Sequence, residues 1–127
     1  QSKKGENIMQ WNLDKSRPVC PQICEQLCVH IANGELPPNS RLLSVREIAV
    51  SAGVNPNTVQ KSLEQLESHG VIYSVRGSGW FVKADIEIAK QTVLHMAQDK
   101  THSYIRDMNT LGFDLKKTKK YIEEWEQ

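Results

Sequence analysis

The sequence lacks the features that would place it in a membrane or an active site. No apolar run approaches the ~20 residues needed to cross a bilayer as a helix. The opening stretch QSKKGENIMQ is polar with isolated apolar residues, so no secretory signal is expected there. A cytoplasmic location without a membrane partner is the resulting expectation. Gln1 and Ser2 are expected to be the remnant of a cleaved tag, outside the fold proper. Catalytic signatures are missing as well: no Gly-rich phosphate loop, GxSxG elbow, HExxH or paired-carboxylate motif occurs, and His30, His69, His95 and His102 are scattered. Neither an enzyme nor a cofactor is expected. Charge of one sign is also lacking, because a net charge of +1 is too small to announce a nucleic-acid binder by itself.

Cysteine is scarce, and its placement argues for packing. Cys20, Cys24 and Cys28 recur every fourth residue along a helix that also carries Ile23, Leu27 and Ile31, within or beside its buried stripe. Cys20 and Cys28 would lie about 12 Å apart at 1.5 Å rise per residue, so all three cannot share one ion on an intact helix. An odd number of cysteines also argues against structural disulfides. They are expected to be small buried hydrophobes, and no metal is expected. A thiol-responsive or metal-responsive regulator using these three residues is the sharper alternative.

In a chain of 127 residues there is room for one ordinary domain and an appendage. The pattern predicts a mainly α protein with a small β-hairpin. Residues 1–17 read as an arm with Trp11 and Leu13 as anchors. Residues 18–84 form a winged helix-turn-helix domain, and residues 85–127 a helical tail. The first helix spans Val19 to Ala32, stopped by Asn33 and Gly34 with two prolines beyond. The second begins at Ser44, with Glu47 three residues on as in a capping box, turns Val45, Ile48 and Ala49 inward, and ends at Gly53. The third runs from Pro56 to His69 behind the cap Asn55, buries Val59, Leu63 and Leu66, and stops at Gly70. Two helices separated by so short a turn read as a helix-turn-helix. The runs VIYSV and WFVKA flank RGSG as a hairpin, and this wing covers residues 71–83. The tail predicts a long helix from Ile86, bending near DKTHS, and a last helix capped by Asp114.

The first turn of the third helix is polar where good helix formers would serve a purely structural helix. In a helix-turn-helix the N-terminal residues of the second helix reach base edges in the major groove. Asn55, Asn57, Thr58, Gln60 and Lys61 supply donors and acceptors suited to that task. Arg46 is placed to grip the backbone, and Arg76 with Gly77 to bring charge and bare backbone N–H groups to a phosphate or the minor groove. Between Arg41 and Lys83 five basic residues face three acidic ones, a local excess of +2.

The block LLSVREIAVSAGVNPNTVQKSLEQLESHGVIYSVRGSGWFV, preceded by PVCPQICEQLCVHIANGELPPNSRL, resembles the winged-helix domain of GntR-family transcription regulators over about Pro18 to Val82. NPNTVQK and LESHGVIYSVRGSGWFV are close to the YtrA-like subfamily. The resemblance implies that Arg46 is the DNA-gripping arginine, that Asn55, Asn57, Thr58 and Gln60 occupy the recognition positions with Lys61 beside them, and that Arg76 and Gly77 form the wing tip. Two departures stand out: Leu43 replaces a proline before the second helix, and Trp80 stands where threonine is common. The resemblance also implies that a large effector domain is missing and that the tail is a dimerisation element, in a subfamily whose members commonly repress transporter operons.

The expected partners are therefore double-stranded DNA with a palindromic operator and a second copy of the chain. Symmetric dimers match palindromic sites. Val93, Met96, Ile105, Met108, Leu111, Leu115, Ile122 and Trp125 are the expected dimerisation residues. The rival from another class is a winged helix used as a protein-interaction module without DNA.

Overall fold

The computed structural model describes residues 9–125. The tag expectation for Gln1 and Ser2 lies outside the described residues, and the last helix, predicted over LKKTKKYIEEWEQ, already ends at Glu123 with Glu124 as its C-cap. The elements are α1 (Val19–Ala32), α2 (Val45–Ala52), α3 (Pro56–Ser68), β1 (Ile72–Val75), β2 (Gly79–Val82), α4 (Ile86–Thr110) and α5 (Leu115–Glu123). The fold is mainly helical, with a two-stranded wing after the helix-turn-helix and helices beyond it. Two compact units divide the chain between Val93 and Leu94.

In the first unit the predicted stripes form the core. Ile23, Leu27 and Ile31 of α1 and Val59, Leu63 and Leu66 of α3 are almost wholly buried, joined by Ile48 and Ala49 of α2, Ile72, Val82 and Ala89. Each of the Val, Leu and Ile side chains contributes roughly 1.5–3 kcal/mol of burial energy. Ser62 is the polar residue at the α1–α3 contact; its hydroxyl lies 2.9 Å from the Cys20 carbonyl and 3.0 Å from that of Thr58, so it is satisfied without water. Cys24 and Cys28 fill the same layer.

The helix ends follow from the residues that make them. Ser44 Oγ accepts from Glu47 N–H at 3.1 Å, and the Glu47 carboxylate accepts from Ser44 N–H at 2.8 Å, so the capping box closes despite Leu43 in front of it. Gly53 ends α2 at φ 70°, a left-handed conformation that costs a residue with a side chain more. Asn55 Oδ1 accepts from Asn57 N–H at 2.7 Å and Pro56 takes the first position of α3. His69 is the C-cap of α3 and not, as predicted, its last residue.

β1 and β2 pair antiparallel, Ile72 with Val82 through Val75 with Gly79. A third segment, unpredicted, lies along β2: Asn39 N–H donates to Val82 O, Val82 N–H to Ser40 O, and Leu42 N–H to Trp80 O, with Arg41 bridging Phe81. The stretch NSRL between two prolines and a helix cap is too short to carry a period of its own.

The arm is held by α1. Gln26 and Gln22, four residues apart and hence on one helix face, mimic strand partners: Gln26 accepts from Asn12 N–H and donates to Asn12 O, and Gln22 does the same for Asp14. Trp11 anchors as expected, its indole N–H donating to Ser51 Oγ at 3.0 Å. Lys15 Nζ donates to the Gly53 carbonyl at 2.9 Å, within the turn between α2 and α3.

The second unit holds the rest of α4 and α5. α4 runs as one helix through DKTHS, the stretch where the sequence predicts a bend. Asp114 Oδ1 accepts from Lys117 N–H at 2.9 Å and starts α5. Met108 and Thr118 are buried, and the Phe113 and Tyr121 rings lie 6.3 Å apart. Leu111, Leu115, Tyr121, Ile122 and Trp125 stay exposed. No described helix is long and apolar enough to cross a membrane.

Candidate nucleic-acid interface

At 100° per residue, the burial of Val59, Ser62, Leu63 and Leu66 fixes which face of α3 points outward. Asn57, Gln60 and Lys61 lie on the opposite face and are exposed, whereas Thr58 falls on the flank and is half-buried. Asn55 is exposed but its Oδ1 is engaged in the cap. Gln60 Nε2 donates to Glu64 Oε2 at 3.0 Å, so this amide must leave an intrahelical partner before it bonds elsewhere. The α3 N-terminus adds the positive end of the helix dipole to the same turn.

Arg46, in the first turn of α2, is exposed, as are Arg76 and Gly77 in the turn of the wing. Ser78 N–H donates to Val75 O at 2.8 Å to close that turn, and Gly77 takes φ 80° in it. Arg41, which the sequence offered only as one of several basic residues, reaches the wing turn. Its Nε donates to the Ser78 carbonyl at 2.8 Å. The Glu47 carboxyl is held below the usual carboxylate range, first by hydrogen bonds from Ser44 and with a smaller share from the Arg41 charge. The guanidinium thus rests on the wing turn. Lys15 was likewise not singled out, because its partner is a backbone carbonyl and leaves no trace in residue types.

Of the expected dimerisation residues, Leu111, Leu115, Ile122 and Trp125 are exposed, Val93, Met96 and Ile105 half-buried, and Met108 buried. Burial pushes the Cys24 thiol up to about 12 and the Cys28 thiol up to about 11, which disfavours the thiolate that redox or metal chemistry requires. Among the described residues no group of three or more His, Cys, Asp or Glu is arranged to hold a metal ion.

Residues 21–82 match the family described as "Bacterial regulatory proteins, gntR family". The chain is 34% identical over 113 residues to the HTH-type transcriptional repressor YtrA of Bacillus subtilis (strain 168), covering 86% of this chain and 85% of that one. A GntR family transcriptional regulator from Listeria monocytogenes superposes with a TM-score of 0.73 at 32% identity, over 90% of this chain and all of that one, 100%. The AraR DNA-binding domain in complex with operator ORX1 superposes with a TM-score of 0.50 at 29% identity, over 59% of this chain and 92% of that one. With its helix-turn-helix and wing, the chain belongs to the gntR family of bacterial regulatory proteins, and is a DNA-binding transcription regulator rather than an enzyme.

Proposed function

We propose that the protein is a homodimeric repressor that binds a palindromic operator, with the first turns of α3 in the major groove and the wing on the adjoining backbone or minor groove. The observation that carries this reading is the outward face of α3, where Asn57, Gln60 and Lys61 are exposed beside a dipole-positive helix start. Asn57 and Gln60 read bases, Arg46 and Lys61 neutralise phosphate, and Arg76 with Gly77 adds a contact from the wing. Similarity to YtrA, a repressor by name, and to operator-bound AraR supports the same assignment. Exposed Leu111, Leu115, Ile122 and Trp125 supply the adhesive between two copies, which doubles the reading heads on one site. The genes under control include a transporter operon, as the subfamily resemblance implies.

Selection of bound duplexes from a random pool tests the proposal. A palindromic consensus is the expected result, with log affinity falling steeply against log salt as counterions are released. Recovery of no consensus, with a flat salt response, would instead favour a protein-interaction module.

A further inference from the structure

Arg41 occupies a place in the fold that its residue type alone does not explain. It lies on the short segment running along β2, opposite Phe81, and from there its side chain reaches the turn of the wing. The acceptor of its Nε is the carbonyl of Ser78, adjacent to Gly77 and two residues from Arg76. Gly79, at φ 118°, lies beneath the guanidinium: a Cβ there would come within 3.3 Å of Arg41 Nε and 3.6 Å of its Nη2. The backbone of the turn is therefore bare where the planar group rests on it. Such a group holds its donors in a fixed fork, unlike a lysine ammonium on a flexible stem. The wing needs a brace of this kind, because a hairpin of two short strands is marginal by itself.

We propose that Arg41 is a positioning residue for DNA binding, a brace that holds the wing turn in shape so that Arg76 and Gly77 meet the duplex already ordered. This role rests on the reading of the hairpin as a DNA-contacting wing. Arg41 acts through the wing, since ordering a loop at the moment of binding subtracts from affinity.

The test compares the native protein with Arg41→Gln, Arg41→Lys, Arg76→Ala and the double variant Arg41→Gln/Arg76→Ala, using the duplex obtained by selection. Arg41→Gln is expected to weaken binding roughly 3- to 10-fold, the scale of one side chain or loop that must be ordered. Arg41→Lys, which keeps a donor for the Ser78 carbonyl, should fall between it and the native protein. The double variant should bind no more weakly than Arg76→Ala alone, because both changes act on one contact. In the free protein, amide exchange at Ser78 and along the hairpin should quicken in Arg41→Gln while Leu63 and Leu66 exchange as in the native chain. Additive losses, with the salt slope reduced by about one in the Arg76→Ala background, would make Arg41 a direct phosphate contact and overturn the brace. Unchanged exchange at the wing would overturn it as well. If Arg76→Ala weakens binding and Arg41→Gln does not, the wing reading stands and only the role of Arg41 fails. If Arg76→Ala leaves binding unchanged, the wing reading itself fails and takes the positioning role with it.

Discussion

Asn57 and Gln60 carry the same amide and differ in what holds it. The side chain of Gln60 is engaged with Glu64 on the next turn, whereas Asn57 uses its backbone N–H for the cap, with its exposed side chain left outside that bond. A bidentate amide contact to adenine discriminates by about 1–3 kcal/mol. Asn57→Ala is accordingly expected to cost about that much on the selected operator and little on scrambled duplex, measured by competition binding. Arg46→Ala should weaken both alike and lower the salt slope by about one, as loss of a phosphate contact does. The cysteines yield a residue-scale prediction of another kind. With Cys24 and Cys28 buried and their thiols held at about 12 and about 11, alkylation near neutral pH should leave these two unmodified until the chain is unfolded, reach only the half-buried Cys20, and leave DNA binding intact. Loss of binding on brief alkylation of the native protein would revive a thiol-sensing role.

At the scale of elements, the capping box of α2 matters because it starts the helix that carries Arg46. Ser44→Ala removes one of its two bonds and should lower stability by about 1 kcal/mol by denaturant unfolding. The other bond titrates. Hydrogen bonding to Ser44 holds the Glu47 carboxyl below its ordinary value of 4.5 in the folded state, so the stability it contributes is present above that value. It is lost as pH falls through the lowered one. Glu47→Gln, which keeps an acceptor without the charge, should flatten the acid limb of thermal stability below about pH 5. The same elements were legible in the sequence because each announces itself twice, once by period and once by its caps. Val59, Leu63 and Leu66 gave α3 its buried face, and Asn55, Pro56 and Gly70 its ends. The strand-like segment at 39–42 had neither signal, since its pairing is supplied wholly by β2.

Across the whole molecule, the proposed dimer rests on the exposed apolar side chains of the second unit. A single small reading head neutralises few phosphates, and joining two raises affinity through effective concentration by ~10² or more. Ile122→Asp or Trp125→Ser is expected to shift the chain to monomer in sedimentation and to weaken operator binding by a comparable factor, with the thermal transition of the first unit retained. A variant that remains dimeric would place the contact elsewhere.

Residue types and their spacing determined by themselves the three helices of the reading head, the hairpin and the polar first turn of α3, since burial stripes and caps are local properties of a chain. The tertiary structure alone decided what braces them. Lys15 on the Gly53 carbonyl, the two glutamines on the arm and Arg41 on the wing turn all bond to backbone. Every residue carries the same backbone groups, so only the path of the folded chain selects which of them a side chain meets.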